Sequence, residues 1–202
     1  MTLHAFYPVL PDLAWLASLV PCGIKTVQLR LKDASQHEIS RQIAESLTLC
    51  AAHDCRLIVN DYWREAIELG ADYIHLGQED LAAADLAAIK AAGLKLGIST
   101  HSHEELDIAL QAQPDYVALG PVYETKLKKM KWDPQGLERV AEWKSLVPCP
   151  LVAIGGITVE RARGVLKAGA DSLAVVTDLV THDDPEIRVA QWLAEVEGAR
   201  AR

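Results

Sequence analysis

The sequence lacks the features that mark membrane-spanning, exported and thiolate-rich metal proteins. It contains no run of about 18 or more apolar residues, so we expect no membrane span. No charged segment followed by an apolar stretch and a small-residue cleavage site opens it, so we expect no export. The four cysteines form no CxxC pair and no metal-binding spacing. Together these absences predict reduced thiols and a cytoplasmic location.

Basic residues are also scarce, because 20 Lys and Arg face 28 Asp and Glu and leave a net charge of −8. This balance argues against a general nucleic-acid surface, and it makes a local group of cations more informative. The length of 202 residues suits a domain with a substantial core. No linker, low-complexity tract or change in composition interrupts the sequence, so we expect residues 1–202 to form a single domain.

Short apolar or β-branched segments alternate with longer helical patterns from one end of the chain to the other. The predicted strands are Phe6–Leu10, Ile24–Leu29, Arg56–Asn60, Tyr73–Leu76, Lys95–Ile98, Tyr116–Leu119, Leu151–Ile154 and Ser172–Val176. The predicted helices lie near 11–20, 35–53, 62–69, 81–92, 102–112, 135–145, 158–168 and 183–197. This alternation predicts an α/β fold, a single-domain (β/α)8 TIM barrel. A doubly wound open sheet is the alternative, but its glycine fingerprint after the first strand is absent.

The segment from Val27 to Lys32 alternates strictly between apolar and polar residues. As a strand it would place Gln28, Arg30 and Lys32 on one face. In a barrel covered by helices, such an inward polar face is costly unless an anion lies opposite. We therefore expect a phosphate or diphosphate there. The alternative is an edge strand whose polar face meets water.

Two aspartates follow neighbouring predicted strands, at the carboxyl ends where a barrel carries its chemistry. Asp61 comes directly after Asn60, and Asp80 follows the next strand along the chain. Two carboxylates with phosphate oxygens and waters form a natural octahedral Mg²⁺ site. The alternative is that each aspartate caps the helix that begins after it.

A glycine turn, Gly155-Gly156, separates the seventh predicted strand from the helix that Thr158 precedes. Free backbone N–H groups at such a position bind anions, and glycine lets a phosphate approach closely. The alternative is a tight turn that needs positive φ. The loop after the sixth strand carries four lysines, which either form a solvated charged run or bring Lys128 to a substrate phosphate.

The histidines offer no catalytic pattern. His75 lies between apolar neighbours in a predicted strand, where an inward and satisfied core histidine is expected. His101 and His103 flank a helix start, and without a third ligand nearby in sequence they do not form a zinc site.

The strand ends resemble those of a known family, the thiamine phosphate synthases. The matching segments follow the family's order with close spacing: Gln28-Leu29-Arg30-Leu31-Lys32, Val59-Asn60-Asp61, His75-Leu76-Gly77-Gln78-Glu79-Asp80, Gly97-Ile98-Ser99, Leu119-Gly120-Pro121-Val122-Tyr123 with Thr125 and Lys128, and Ala153-Ile154-Gly155-Gly156-Ile157. Each segment alone is weak, but the ordered set spans almost the whole chain.

The resemblance implies a transferase of thiamine biosynthesis that joins a hydroxymethylpyrimidine diphosphate to a thiazole phosphate and releases diphosphate, with Mg²⁺ as cofactor. It implies that the pyrimidine diphosphate is held by Gln28, Arg30, Lys32, Asn60, Ser99, Thr125 and Lys128. Arg30, Lys32 and Lys128 would act in catalysis. The metal would bind Asp61 and Asp80, and the thiazole phosphate would bind Gly156, Val176 and Thr177. Small-molecule substrates are the expected partners, and homo-oligomerisation is left open.

One departure from the family pattern lies in the loop after the sixth strand. Leu127 stands where a threonine is common, although Thr125 and Lys128 remain. Glu124-Thr125 also matches the related thiazole tautomerases, but those carry a catalytic histidine where this chain has Pro121. A non-catalytic barrel that binds thiazole or thiamine phosphates is the third hypothesis, and it does not account for the cations and paired carboxylates.

Overall fold

A closed barrel of eight parallel strands forms the centre of the computed structural model, which describes residues 3–125 and 132–200. The strands are β1 (Phe6–Leu10), β2 (Thr26–Leu29), β3 (Arg56–Asn60), β4 (Tyr73–Leu76), β5 (Lys95–Thr100), β6 (Tyr116–Leu119), β7 (Leu151–Ile154) and β8 (Ser172–Val175). Each strand pairs with the next, and β1 pairs with β8. The predicted (β/α)8 barrel is confirmed, and both an open sheet and a solvated edge strand are excluded because the ring has no edge.

Helices surround this barrel. They are α1 (Leu13–Leu19), α2 (Gln36–Ala52), α3 (Trp63–Glu68), α4 (Gln78–Ala83), α5 (Leu86–Ala91), α6 (His103–Gln111), α7 (Gly136–Leu146), α8 (Val159–Lys167), α9 (Thr177–Val180) and α10 (Pro185–Arg200), with a 3₁₀ turn at Val20–Cys22. In the part of the chain that the structure describes, no helix combines the length and apolar character that a membrane span requires.

The fourth helical unit differs from its prediction as a single helix over 81–92. It begins three residues earlier, at Gln78, and breaks where Ala84 is extended with ψ 147°. A new helix then begins because the Asp85 carboxylate accepts a hydrogen bond from the Ala88 amide at 2.9 Å. The earlier start places Asp80 inside the first turn of α4.

Apolar side chains form two layers, as the alternation along the strands requires. The larger layer fills the space between strands and helices, and a smaller group, including Tyr7, Tyr73 and Tyr116, fills the barrel interior. Gly97 makes this interior possible, because a Cβ there would lie 2.0 Å from Cζ of Tyr116. The glycine therefore provides the space for the Tyr116 ring.

A largely buried ion pair fixes the short helix α9 against α10. The guanidinium of Arg188 contacts both carboxylate oxygens of Asp178 at 2.9 Å, and both side chains are only 11% exposed. The indole N–H of Trp192 donates to the same carboxylate at 2.8 Å. These contacts hold the segment that follows β8 at the mouth of the barrel.

Candidate active site

The segment from Val27 to Lys32 lies at the carboxyl-end mouth of the barrel. Of its three polar residues, Gln28 alone belongs to strand β2. Gln28 is buried in β2 and its amide nitrogen donates to the Tyr7 hydroxyl at 2.6 Å, so it points inward. Arg30 follows the strand and is half-buried, with its backbone N–H donating to the Leu10 carbonyl at 2.9 Å. Lys32 is exposed. The segment thus runs from the barrel interior to the solvent at the mouth.

The structure places Asp61 near Asp80. Asn60 ends β3 in a buried position, and Asp61 follows it with a left-handed φ of 67°. The Asp61 amide donates to the His75 carbonyl at 2.9 Å, which fixes this residue against β4. The Asp61 carboxyl group lies near enough to Asp80 for Asp80 to raise its pKa.

Ionising both carboxyl groups of this pair is unfavourable, and a bound cation would reduce that cost. Burial, and then the neighbouring Asp80, raise the pKa of Asp61 to about 6, while Arg30 and Asn60 act in the opposite direction. Two neighbouring carboxylates cannot both ionise without cost unless a proton or a metal ion lies between them.

The helix-cap alternative fails for both aspartates. Helix α3 has Tyr62 at its N-cap, with no side-chain cap bond, and α4 has Gly77 there. Within residues 3–125 and 132–200, no group of three or more His, Cys, Asp and Glu side chains could hold a metal. A pair fits Mg²⁺, because this ion commonly takes one or two carboxylates together with substrate phosphates and waters.

A buried histidine lies beside this pair, within the barrel. His75 Nδ1 lies 2.8 Å from the Tyr116 hydroxyl, and Nε2 lies 2.8 Å from the Ser99 hydroxyl. Burial, assisted by the charge of Arg30, lowers its pKa to about 4, so the ring is neutral at physiological pH. The structure confirms the expected inward, satisfied histidine. Ser99 is further fixed because the Gln78 side-chain amide donates to its carbonyl at 2.7 Å.

The glycine turn lies at the opposite part of the mouth. Gly155 and Gly156 both have positive φ, 100° and 62°, so the tight-turn interpretation holds for the backbone. A Cβ on Gly156 would also lie 2.4 Å from the Glu124 carbonyl oxygen, so both conformation and space require glycine. The Arg161 guanidinium donates to the Gly156 carbonyl at 2.6 Å and lies 4.5 Å from the Tyr123 ring centre.

Three further predicted residues border this turn. Val176 and Thr177 follow β8, and because β7 and β8 are neighbours they lie at the same part of the mouth as Gly156. Thr125 is half-buried after β6. Lys128, Leu127 and the rest of the lysine run lie outside the described residues.

Sequence reasoning missed two interior hydroxyls, those of Tyr7 and Tyr116. Their rings meet edge to face, with centroids 6.3 Å apart, and their oxygens lie 3.0 Å apart. Tyr7 is the second residue of β1 and Tyr116 is the first of β6, so strand alternation could have marked both as inward. Their contact with each other had no signal, since 109 positions separate them.

Comparison with known proteins supports the resemblance in the strand-end segments. The family model described as thiamine monophosphate synthase matches residues 8–179. A thiamine-phosphate synthase from Rhizobium etli is 60% identical over 195 residues, covering 96% of each chain. One from Citrobacter koseri is 47% identical over 189 residues, covering 93% of this chain and 90% of its own.

A solved structure extends the likeness to three dimensions. The thiamine phosphate pyrophosphorylase from Pyrococcus furiosus superposes with a TM-score of 0.84 at 29% identity, covering 96% of each chain. The barrel, the order of its strand-end segments and these relatives agree. The chain is therefore a transferase that belongs to the thiamine monophosphate synthase family.

Proposed function

We propose that this protein joins 4-amino-2-methyl-5-hydroxymethylpyrimidine diphosphate to a thiazole phosphate, giving thiamine phosphate and diphosphate, or to the carboxylated thiazole phosphate, giving the same products with loss of CO₂. The observation that carries the proposal is that Asp61, Asp80 and Arg30 lie near one another at the barrel mouth, where both Asp80 and Arg30 act on the pKa of Asp61. A cationic side chain next to a carboxylate pair suits a metal-bound diphosphate, because each oxyanion then faces positive charge. The names of the relatives from Rhizobium etli and Citrobacter koseri support the same reaction.

The proposed roles divide the site residues between the two substrates and the metal ion. The pyrimidine diphosphate is held by Gln28, Arg30, Lys32, Asn60, Ser99, Thr125 and Lys128. The thiazole phosphate is held by the turn at Gly156 and by the segment after β8, Val176 and Thr177. Asp61 and Asp80 hold Mg²⁺. When bound there, this ion supplies positive charge against the diphosphate oxygens.

The proposed reaction requires stabilisation of the charge on the diphosphate and positioning of the two substrates. An aminopyrimidine delocalises positive charge from its exocyclic methylene, so the C–O bond to diphosphate can break before the thiazole nitrogen attacks. Arg30 and Lys32 then stabilise negative charge on the departing diphosphate. The barrel holds the thiazole nitrogen close to the carbocation-like carbon, which lowers the entropic cost of the encounter.

No general base is needed, because the attacking nitrogen carries a lone pair and no proton. The surroundings of His75 agree with this requirement. Both of its ring nitrogens are hydrogen-bonded, to Tyr116 and to Ser99, and its pKa is lowered to about 4 by burial. The ring is therefore placed to orient its neighbours and is poorly placed to accept a substrate proton.

The direct test supplies the purified protein with Mg²⁺, the pyrimidine diphosphate and the thiazole phosphate. We expect thiamine phosphate and diphosphate to form in equal amounts, and chelation with EDTA to stop their release. Absence of diphosphate release from folded protein would refute the proposal and leave a tautomerase or a non-catalytic binding barrel. Assaying thiazole isomerisation and thiazole phosphate binding would separate those two.

The Arg30→Ala variant tests whether the positive charge of Arg30 stabilises the transition state more than the ground state. Negative charge grows on the diphosphate as the bond breaks, so removing Arg30 should cost more in the transition state than in the ground state. We expect kcat to fall by about 10²-fold or more, as when one preorganised donor is lost from an anion-stabilising site. The KM for the pyrimidine diphosphate should change less.

Steady-state kinetics check this prediction, with Arg41→Ala on the exposed face of α2 as the matched control. That variant should keep both constants. A change in KM alone would show that Arg30 binds the ground state and the transition state equally.

A further inference from the structure

An unbroken chain of hydrogen bonds crosses the barrel interior and ends at two residues of the candidate site. Its links are Gln28 Nε2 to the Tyr7 hydroxyl at 2.6 Å, the Tyr7 hydroxyl to the Tyr116 hydroxyl at 3.0 Å, the Tyr116 hydroxyl to His75 Nδ1 at 2.8 Å, and His75 Nε2 to the Ser99 hydroxyl at 2.8 Å. All its side chains but Ser99 are buried, and Ser99 is half-buried at the mouth.

Such a chain has only two directions, because each hydroxyl carries one proton. The Gln28 amide nitrogen can only donate, so the Tyr7 oxygen accepts from it. The proton of Tyr7 is then directed at the Tyr116 oxygen. In the opposite direction, Tyr7 would receive two donors and its own proton would have no acceptor along the chain, which is costly in a buried site.

Both tyrosines keep their protons. Burial is the main reason why the pKa of Tyr7 and the pKa of Tyr116 lie far above the ordinary value. The Tyr116 ring is also held in place, since Gly97 provides its space and the His75 ring stacks on it with centroids 5.6 Å apart. The direction set at Gln28 therefore passes to His75 without interruption.

At His75 the direction becomes a choice of tautomer. The Tyr116 proton points at Nδ1, so the single proton of the neutral ring lies on Nε2 and points at the Ser99 oxygen. The Ser99 hydroxyl, having accepted there, has its own proton free to point elsewhere. Because Ser99 is half-buried at the carboxyl end of β5, the free direction leads into the mouth.

We propose that Tyr7, Tyr116 and His75 are positioning residues that hold Ser99 as a hydrogen-bond donor toward an acceptor atom of the bound substrate. This deepens the proposed function, on which it rests for the identity of the acceptor, an oxygen or ring nitrogen of the pyrimidine diphosphate. Because the Ser99 hydroxyl donates toward the mouth, it favours a substrate atom that carries a negative charge or a lone pair and disfavours a donor group at that position. It also costs no reorganisation when the substrate binds, because the direction is already set.

The first test needs no substrate and so stands apart from the proposed function. ¹⁵N-labelled histidine in the ligand-free protein reports which ring nitrogen of His75 carries the proton. We expect the Nε2–H tautomer. A predominant Nδ1–H tautomer would overturn the proposal, even if the protein makes thiamine phosphate.

The second test reverses the donor at the start of the chain. In Gln28→Glu, an ionised carboxylate can only accept, so every hydrogen bond should reverse and the proton of His75 should move to Nδ1. The ¹³C shift of the new carboxyl group selects a pH at which it is ionised. Retention of the Nε2–H tautomer under that condition would show that Gln28 does not set the direction and would refute the inference.

The third test interrupts the chain in the middle. Tyr116→Phe removes the hydroxyl that directs His75, so we expect both tautomers to be populated and kcat/KM for the pyrimidine diphosphate to fall about tenfold or more. Tyr73→Phe is the matched control, because Tyr73 also fills the barrel interior but takes no part in the chain. An unchanged tautomer in Tyr116→Phe would refute the positioning role. If the wild type lacked synthase activity while its tautomers behaved as described, only the identity of the acceptor would be refuted.

Discussion

Asp61→Asn should make the metal-free protein more stable while it removes activity. The substitution keeps the shape of the side chain and removes the negative charge that opposes Asp80. It is also suited to the backbone, because Asp61 has a φ of 67° and asparagine is among the residues that tolerate this left-handed conformation best. Because aspartate and asparagine both tolerate this region, the substitution changes charge with little change in backbone strain.

The magnitude and its sign follow from the pKa of Asp61, which burial and Asp80 raise from 3.8 to about 6. A carboxyl group with a raised folded-state pKa contributes stability below its unfolded pKa, and this contribution is lost as pH rises through about 6. Full conversion gives about 3 kcal/mol. Asp61 is partly exposed, so solvent screening reduces this to about 1 kcal/mol.

The assay is urea unfolding in EDTA between pH 4 and pH 8. We expect Asp61→Asn to be about 1 kcal/mol more stable than the wild type at pH 8, with the difference vanishing near pH 4. Adding Mg²⁺ at about 100 times its dissociation constant should stabilise the wild type by about 2.7 kcal/mol and the variant much less. Turnover of the variant should fall severely if Asp61 holds Mg²⁺ as proposed, because the charge of that ligand is then gone.

Asp54→Asn is the matched control for this experiment. Asp54 also has a left-handed φ, 50°, but it lies before β3 rather than after it and pairs with Lys25 at the surface. Its substitution should leave the pH dependence of stability unchanged. An Asp61→Asn variant that is less stable than the wild type by the same amount at every pH would refute the reasoning and make Asp61 a structural residue.

Two further predictions concern the packing that supports the site, and both are measured by urea unfolding. Gly97→Ala should cost about 1–3 kcal/mol, because its Cβ would lie 2.0 Å from Tyr116, whereas Gly198→Ala, with nothing within 4 Å, should stabilise by about 0.5–1 kcal/mol. Equal effects would contradict the assigned position of the Tyr116 ring. Arg188→Met should cost about 3 kcal/mol, since it leaves a largely buried carboxylate without its cation and with the Trp192 indole as its remaining donor. Arg163→Met, which breaks a more exposed ion pair, should cost about 0–1 kcal/mol, and a similar loss in both variants would contradict the buried role of Arg188.

The pattern of the chain was enough to predict the barrel. Periodicity of two in the strands and of about 3.6 in the helices is a local property, so strands such as β1, β3, β4, β6 and β7 were predicted with the bounds that the structure shows. The exact ends of other strands were not predicted from the sequence. Strand β2 begins at Thr26 instead of Ile24, and β5 continues to Thr100.

The ends of helices also include one that was predicted from local sequence and one that was not. Ser102 was predicted to begin α6, and its hydroxyl accepts from the Glu105 amide at 3.3 Å, since a cap depends only on residues three apart. The break at Ala84 was missed because alanine favours helix by itself, and the extended conformation there is a property of the folded chain.

The sequence by itself determined the kind of fold and which residues reach the mouth of the barrel, because strand alternation and the direction of parallel strands place Gln28, Asp61 and Asp80 there. Only the tertiary structure decided what these residues meet. The proximity of the two carboxylates requires the register of β3 against β4, and the chain through Tyr7, Tyr116 and His75 requires closure of the ring. Those contacts join positions far apart along the chain, and no local pattern encodes which distant side chain will fill the space opposite.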